Sequence, residues 1–367
     1  MYRVKIYGAG SIGNHLAFAC RSMGWDVLIC DVDSSALERT KKLIYPERYG
    51  RWDSQIELSL CSDLKRKDYD LVFIGTPPDT HMELAINVFR TETPKVLLIE
   101  KPACIPSLYQ ANELFQLAKQ SETIVCVGYD HILGENTVEA EKILESGLVG
   151  DCLCINADIK EHWGGIFNAH PWLLGPQDTY LGFWERGGGA CGEHSHGINM
   201  WQHFAHVMNL GKVVEISACM NMVTNDVVSY DSICNITVNT ESGGYGHIIQ
   251  DVVTQPIEKK VRIQGTDGFL SWHVNWDVQG DALIYRGKGQ KQNTIVPLPK
   301  KRTDDFRREI EHIEQLMNGT VTDSPISFER SMDTMLVIAA AYRSHKEKRV
   351  MRIDYAKGYK PEAITPA

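Results

Sequence analysis

Residues 4–13 read VKIYGAGSIG, and this stretch decides the fold. The apolar run 4–8 predicts a short buried strand, and the residues after the glycines have helical spacing. Gly8 permits a tight turn, Gly10 lets a bound group approach the backbone, and Gly13 lets the helix pack closely on the strand. The stretch therefore predicts a strand–turn–helix unit that opens a doubly wound α/β domain.

The same alternation of short apolar strands and amphipathic helices continues to about residue 127. Further strands are predicted at 26–31, 70–75, 95–100 and 123–128, with helical segments near 80–91 and 106–120. Strands that are apolar throughout and alternate with helices are typical of a parallel sheet covered on both faces. We therefore expect a first domain at residues 1–127.

The pattern changes in residues 128–367, which we expect to form a second domain. Predicted helices at 135–147 and 190–209 flank a long aromatic and glycine-rich loop at 159–188. Strand-like segments then follow without intervening helices, at 212–222, 228–238, 244–254, 258–265, 268–273 and 281–286. Successive strands predict an antiparallel or mixed sheet, and two further helices close the chain.

The composition excludes several classes of protein. The 367 residues include 38 Lys and Arg against 47 Asp and Glu, a formal net charge of −9. No Lys/Arg-rich run offers the cations that non-specific nucleic-acid binding needs. No apolar run approaches the length of a membrane span, and the N-terminus lacks the apolar core of a secretion signal. The ten cysteines are scattered rather than arranged as a disulfide framework. We expect a cytoplasmic enzyme with no nucleic-acid or membrane partner.

An acid at the end of the second predicted strand completes a nucleotide-binding pattern. The amides of Ser11 and Ile12, at the start of the helix, would meet a pyrophosphate. Asp31 follows Gly13 at the spacing of a ribose-binding acid, and its carboxylate would accept both ribose hydroxyls and repel a 2′-phosphate. The pattern predicts NAD(H) in preference to NADP(H).

Two more polar segments follow predicted strands, at the edge where parallel sheets bind ligands. They contribute Thr76, Pro77 and His81 in GTPPDTH (75–81), and Glu100 and Lys101 in EKP (100–102). We expect all five residues to contact the cofactor. The ammonium of Lys101 would also polarise a substrate hydroxyl as its hydride leaves.

Together these motifs resemble the glucose–fructose oxidoreductase / inositol dehydrogenase / rhizopine catabolism (Gfo/Idh/MocA) family. The resemblance extends in order over nearly the whole chain, through GAGSIG (8–13), GTPPDTH (75–81), EKP (100–102), VGY (127–129), ESGLVGD (145–151), GGGACGEHSH (187–196), VRIQGTDGFLSW (261–272) and AAAYRSHKEKR (339–349). It implies a Rossmann domain followed by an α/β domain with a large, mostly antiparallel sheet, assembled into a homodimer or homotetramer. It also implies NAD(P)-dependent oxidoreduction at a secondary carbinol of a sugar or sugar derivative.

The resemblance also implies roles for single residues. Lys101 matches the family's catalytic lysine, Glu100 its cofactor-side neighbour, and His196 the acid/base histidine of the GGG-led helix. Many members have an aspartate four residues before that histidine, where this chain has Gly192. The other family pattern, with an acid three residues before the histidine, fits Glu193. Residues three apart share a helix face, so we expect Glu193 to support His196.

In the implied mechanism His196 takes the hydroxyl proton while Lys101 stabilises the developing alkoxide. Aromatic faces pack against sugars, and an arginine can meet a phosphate or carboxylate. The expected substrate contacts are Lys101, Tyr129, Trp163, Trp172, Arg186, His196 and Asn199. After Tyr129, however, the chain reads Asp130-His131 where the family commonly has Asn and a nearby Arg or Lys. The substrate, free, phosphorylated or nucleotide-linked, stays open.

The residues alone leave three classes of function open. The first is a sugar dehydrogenase or ketosugar reductase, and the second is NAD-dependent glycoside cleavage through transient oxidation and elimination. The third is a non-catalytic NAD-binding sensor, which the Lys101–His196 pair disfavours. We predict no metal, because the clustered Cys191, Glu193, His194 and His196 come from one segment and zinc sites usually draw on two or more.

Overall fold

The computed structural model describes residues 1–65, 68–168 and 170–367. The chain divides into two compact units. Unit 1 comprises Met1–Ala103, Gln110–Asp130 and Arg302–Glu329, and unit 2 comprises Cys104–Tyr109, His131–Lys301 and Arg330–Ala367. Each unit is therefore assembled from three separate segments of the chain.

Unit 1 is built on a parallel sheet. Its strands are β1 (Arg3–Tyr7), β2 (Asp26–Asp31), β3 (Ile56–Leu60), β4 (Leu71–Ile74), β5 (Val96–Ile99) and β6 (Ile124–Val127). They pair in the order β3-β2-β1-β4-β5-β6. Strands β4 and β5 are buried at every position, as expected for a sheet covered on both faces. The strand order reverses between β1 and β4, which is where such sheets bind ligands.

The described helices alternate with the strands of unit 1 and then cluster around the second sheet. They are α1 (Ser11–Ser22), α2 (Ser34–Arg39), α3 (Tyr45–Tyr49), α4 (His81–Thr91), α5 (Ala111–Lys119), α6 (Glu135–Glu145), α7 (Gly164–Asn168), α8 (Gly189–Glu193), α9 (His196–Val207), α10 (Arg302–Met317) and α11 (Phe328–Glu347). Helix α10 returns to unit 1 and packs on α1, where the rings of His15 and Phe306 stack at 4.5 Å. Within the described ranges, we find no helix with both the length and the apolarity of a membrane span.

Unit 2 contains one large sheet. Its strands are β7 (Cys152–Lys160), β8 (Val213–Thr224), β9 (Ser229–Thr240), β10 (Tyr245–Asp251), β11 (Glu258–Gly265), β12 (Phe269–Asp277), β13 (Gly280–Arg286), β14 (Thr294–Pro299), β15 (Met351–Ile353) and β16 (Ile364–Pro366). Their order is β14-β13-β12-β11-β7-β10-β9-β8-β15-β16. Strands β7 and β10 run parallel, whereas β10 pairs antiparallel with β9 and β7 with β11. Helices α6, α8 and α9 pack on strands β12, β9 and β7.

Several local features differ from the sequence prediction. The structure adds β3, β14, β15 and β16, and it pairs the tail segment β16 with β15, although that tail shows no packing pattern in the sequence. Helix α2 is capped by Asp33, whose side chain accepts the N–H of Ser35, whereas Ser34 and Ser35 are the residues that the sequence suggests as its cap. These added strands are short or half-exposed, and they carry too few apolar positions for a period of two to stand out.

Candidate active site

The glycine turn after β1 forms an open cradle in unit 1. Gly8 has φ +102°, and a Cβ on Gly13 would lie only 2.0 Å from the carbonyl oxygen of Gly8. Around Gly10, by contrast, no described atom lies within 4 Å of the Cβ position. The first N–H groups of α1, on Ser11 and Ile12, have no acceptor within the helix. Two glycines therefore close the turn, and the third leaves space beside these N–H groups, which fits the pyrophosphate of NAD.

Asp31 ties this cradle to the end of β2. Its Oδ2 accepts the N–H of Ala9 at 2.7 Å, and its Oδ1 accepts the N–H of Asp33 at 2.9 Å. Each carboxylate oxygen has further acceptor capacity. The structure thus brings Asp31 and the glycine turn together, with the carboxylate fixed by two backbone donors.

Thr76, Pro77 and His81 form the connection from β4 to α4. The hydroxyls of Thr76 and Thr80 hydrogen-bond at 2.7 Å. His81 is fully buried, with Nε2 2.7 Å from the carbonyl oxygen of Thr76 and Nδ1 3.1 Å from that of Pro102. Burial lowers the pKa of His81, so its neutral ring donates one N–H to these carbonyl groups. The side chain braces the two loops that follow β4 and β5.

Glu100 and Lys101 follow β5. Glu100 is 6% exposed, and its Oε2 accepts the N–H of Lys101 at 3.2 Å. Burial raises the pKa of Glu100 to about 8, so its carboxyl group holds a proton near neutral pH. Gly128 leaves room for it, since a Cβ there would lie 2.9 Å from Glu100 Oε1. Lys101 is partly exposed, and Tyr129, next to Gly128, is fully buried.

Sequence reasoning missed another buried acid in unit 1. Glu309 in α10 is fully buried, and neither of its carboxylate oxygens has a hydrogen-bond partner among the described residues. Burial is the main cause that raises the pKa of Glu309 well above its ordinary value, and repulsion from the carboxyl groups of Glu100 and Asp130, where these ionise, raises it further. A signal was present, because Glu309 lies at helical spacing between the apolar Phe306 and Ile313.

His196 is the first residue of α9 in unit 2, and its side chain is partly exposed. Its ring centroid lies 4.3 Å from that of His131, whose side chain is 5% exposed. The sequence singled out His131 only as a departure from the family pattern. The structure places its ring against the predicted acid/base.

Glycines shape the turn that leads into α8 and α9. Gly189 has φ +77°, a left-handed conformation that favours glycine. A Cβ on Gly188 would lie 2.2 Å from the carbonyl oxygen of Tyr180, and one on Gly192 would lie 2.1 Å from that of Gly187. Gly192 stands where many family members have an aspartate. The backbone of Gly187 leaves no space for such a side chain in this chain.

Glu193 ends α8 and His196 begins α9, so the two residues do not share one continuous helix as their spacing predicted. The carboxylate of Glu193 accepts a hydrogen bond from the Tyr180 hydroxyl at 2.9 Å. Between them, His194 is 4% exposed, with Nε2 3.3 Å from the carbonyl oxygen of Glu161. Glu193 is therefore held by the long loop that precedes the glycine turn.

The two predicted tryptophans of that loop differ in exposure. Trp163 is 5% exposed, its ring lies 4.7 Å from Tyr230, and its indole N–H has no hydrogen-bond partner among the described residues. Trp172 is partly exposed and packs edge-on against His170 at 5.1 Å. Trp163 thus anchors the loop, and Trp172 presents part of its surface.

The last two predicted substrate residues also differ in their surroundings. Arg186 is partly exposed, and its guanidinium lies 5.8 Å above the ring of Phe183. Asn199 is 3% exposed, and its side-chain amide donates to the Thr334 hydroxyl at 3.1 Å. Arg186 keeps part of its side chain accessible, whereas Asn199 links α9 to α11.

The geometry of unit 1 agrees with a comparison to protein families. Residues 2–129 match the Gfo/Idh/MocA family model, which describes an oxidoreductase family with an NAD-binding Rossmann fold. Through these residues the chain is similar to the Gfo/Idh/MocA family. The match supports the resemblance drawn from the motifs, and it covers residues 2–129 with a model of an NAD-binding Rossmann fold.

Known proteins extend the comparison. The chain is 32% identical over 115 residues to the uncharacterized oxidoreductase YhhX of Escherichia coli (strain K12), and the match covers 31% of this chain and 32% of that protein. A levoglucosan dehydrogenase in complex with NADH superposes with a TM-score of 0.76 at 17% identity, covering 96% of this chain and 99% of that one. An oxidoreductase from Agrobacterium radiobacter in complex with NAD⁺, L-tartaric acid and magnesium gives 0.74 at 18% identity, covering 96% and 98%. These likenesses confirm the expected fold class, a Rossmann domain followed by an α/β domain with a large sheet.

Proposed function

We propose that the protein is an NAD(H)-dependent oxidoreductase that transfers a hydride to or from a secondary carbinol of a sugar or sugar derivative. One combination carries this proposal. An NAD-binding Gfo/Idh/MocA unit bears Glu100 and Lys101 at the carboxyl end of β5, and unit 2 of the same chain bears His196 at the start of α9.

The cofactor is assigned to the glycine cradle and the strand ends of unit 1. When bound, NAD(H) supplies the acceptor or donor of the hydride. Asp31, fixed by two backbone N–H groups, offers the ribose a charged acceptor, and its charge disfavours the 2′-phosphate of NADP(H). We assign further contacts to Gly8, Gly10, Ser11, Ile12, Gly13, Thr76, Pro77, His81, Glu100 and Lys101.

The residues that move and hold protons are assigned as follows. In oxidation His196 takes the proton of the substrate hydroxyl, and in reduction it returns that proton. The Lys101 ammonium stabilises the negative charge that develops on the carbinol oxygen. Glu193 supports His196, and the Tyr180 hydroxyl fixes the Glu193 carboxylate by donating a hydrogen bond to it.

The substrate class follows from the partly exposed side chains. Trp172 offers an aromatic face for the C–H surface of a sugar, and Arg186 offers a cation for a phosphate or carboxylate group. The buried Tyr129, Trp163 and Asn199 are proposed to shape the substrate pocket. Support comes from the name of one structural neighbour, levoglucosan dehydrogenase, which refers to a sugar derivative.

The proposal is tested with a panel of free sugars, sugar phosphates and nucleotide sugars. Each is incubated with NAD⁺ or NADP⁺, and the absorbance of the reduced cofactor, NADH or NADPH, is followed. We expect at least one panel member to yield NADH, with NAD⁺ preferred. Aryl glycosides in the same panel separate the alternative, because release of the aglycone without net NADH would indicate glycoside cleavage.

We propose further that the chain forms a homodimer or homotetramer through the large sheet of unit 2. Side chains on its strands remain exposed in the single chain, including Tyr245 at 52%. Light scattering coupled to size-exclusion chromatography tests the proposal. A dimer or tetramer mass supports it, and a monomer at micromolar concentration contradicts it.

A further inference from the structure

Cys191, five residues before the proposed acid/base His196, is held by side-chain hydrogen bonds to both its backbone N–H and its carbonyl oxygen. The N–H of Cys191, in α8, donates to Asp231 Oδ2 at 2.8 Å. The carbonyl oxygens of Cys191 and Ala190 accept from Gln250 Nε2 at 3.1 and 2.9 Å. Cys191, Asp231 and Gln250 are all fully buried. Asp231 in β9 and Gln250 in the adjacent β10 therefore both hydrogen-bond to the backbone of α8.

The Asp231 carboxylate is closely surrounded by α8 and α11. Its Oδ1 accepts the hydroxyl of Tyr342, in α11, at 2.5 Å. A Cβ on Gly189 would lie 2.0 Å from the same oxygen, so only glycine fits there. Burial raises the pKa of Asp231 to about 7, while the hydrogen bonds from Tyr342 and Cys191 oppose this shift. The acid therefore occupies a site that is unfavourable for its charge except where the two donors converge.

Backbone hydrogen bonds connect the anchored residues of α8 to the start of α9. The N–H of His194 donates to the carbonyl oxygen of Ala190 at 3.0 Å, and the N–H of Gly197 donates to that of His194 at 2.8 Å. Gln250 also packs on Gly197, because a Cβ there would lie 3.2 Å from Gln250 Cγ. The backbone on both sides of His196 is thus fixed to β9 and β10.

We propose that Asp231, together with Gln250, is a positioning residue that sets the orientation of His196 through the backbone of Cys191. The inference rests on the proposed function in one respect, namely that His196 is the acid/base. Asp231 does not touch the reacting atoms. Its contribution is to keep the imidazole within the narrow range of positions in which proton transfer is efficient, where a displacement of about 1 Å can cost up to about 100-fold in rate.

Three variants separate positioning from general structural support. Asp231→Ala removes both acceptors, whereas Asp231→Asn keeps one carbonyl oxygen and places an NH₂ group against the other donor. The matched control is Asp281→Asn. Asp281 is also a buried acid of unit 2, 4% exposed, and it accepts the N–H of Asn275 at 2.9 Å and pairs with Lys300 at 2.9 Å.

With a substrate from the panel, we expect kcat to fall by about 100-fold in Asp231→Ala and about 10-fold in Asp231→Asn, with the KM for NAD⁺ within about twofold of wild type. The Asp281→Asn variant should lose thermal stability but keep its kcat. Equal kcat values in Asp231→Asn and Asp281→Asn would overturn the proposal. A parallel rise in the KM for NAD⁺ would also overturn it.

A second measurement does not depend on any substrate. The imidazole signal of His196 is assigned in the full chain by its disappearance in His196→Gln, and it is then titrated by NMR. We expect this signal to shift and to titrate at a different midpoint in Asp231→Asn, and to match wild type in Asp281→Asn. An unchanged His196 signal in Asp231→Asn would overturn the positioning role even if the proposed reaction proves wrong.

Discussion

The rings of His131 and His196 lie 4.3 Å apart with their planes tilted by 30°. His131 is itself held in place, because its carbonyl oxygen accepts the Thr137 hydroxyl at 2.7 Å. The indole N–H of Trp272 donates to the same hydroxyl at 3.0 Å. The proposed acid/base therefore packs against a fixed aromatic surface in the interior of unit 2.

This contact predicts different results for two substitutions of His131. His131→Phe retains a ring against His196, and His131→Ala removes it, at a cost of about 1 kcal/mol for the ring pair. We expect kcat/KM to fall by about fivefold or more in His131→Ala and by much less in His131→Phe. Steady-state kinetics with the panel substrate measure both. A loss in His131→Phe as large as that in His131→Ala would show that the imidazole itself is required.

The glycine cradle predicts that two neighbouring alanine variants fail in different ways. The Cβ of Gly10→Ala meets no described atom within 4 Å, so this variant should fold normally. Its methyl group would occupy the space assigned to the pyrophosphate, and we expect NADH affinity to fall by at least about 10-fold.

Gly13→Ala provides the contrast. Its Cβ would lie 2.0 Å from the carbonyl oxygen of Gly8, and we expect the free energy of unfolding to fall by about 3 kcal/mol. Calorimetric titration and thermal melts of both variants test the pair. Full NADH affinity in Gly10→Ala would contradict the assigned pyrophosphate position.

Asp31 predicts the cofactor preference. Asp31→Ser removes the charged acceptor, and we expect the Kd for NADH to rise by about 10- to 100-fold. The preference over NADPH should shrink because the charge no longer opposes a 2′-phosphate. Asp33→Ser is the control, since serine can replace Asp33 as the cap of α2. Unchanged NADH affinity in Asp31→Ser would remove Asp31 from the site.

Glu309 predicts a dependence of stability on pH. Its pKa is raised in the folded protein, chiefly by burial, so its contribution is most favourable below the pKa of the unfolded chain and is lost as pH rises toward the folded pKa. Glu309→Gln removes this ionisation. Its stability relative to wild type should therefore increase from pH 5 to pH 8, by at most about 1.4 kcal/mol per pH unit.

Denaturant unfolding at several pH values measures this difference. Glu311→Gln is the control on the same helix, because Glu311 is partly exposed and pairs with Arg307 at 3.5 Å. We expect its effect to stay within about 0.5 kcal/mol at every pH. A pH-independent difference between Glu309→Gln and wild type would contradict a protonated Glu309.

Local patterns in the sequence predicted much of unit 1. The run VKIYG and the following glycines indicate β1, the turn and α1, because each residue type is required by geometry within a few positions. The edge strand β3 was missed because most of its residues are half-exposed or exposed. The return of α10 to unit 1 was also missed, since the stacking of His15 on Phe306 joins residues that are distant in the chain.

Local sequence patterns could not predict which side chains hold the backbone near His196. A bulge shifts the pairing of β9 with β8, so that Asn221 pairs with Ile233 and Met222 with Asp231. Strict alternation would place Asp231 and Cys234 on opposite faces of the strand, yet both are buried. Because a bulge depends on both paired strands, the sequence of β9 alone did not indicate that Asp231 accepts a hydrogen bond from the backbone of α8.

The most direct test of the central claim compares wild type with His196→Ala, using the panel substrate and following NADH in single turnovers. The account predicts that His196→Ala binds NADH with wild-type affinity but transfers hydride at least about 100-fold more slowly. A variant that forms NADH at the wild-type rate would contradict the assignment of His196 as the acid/base.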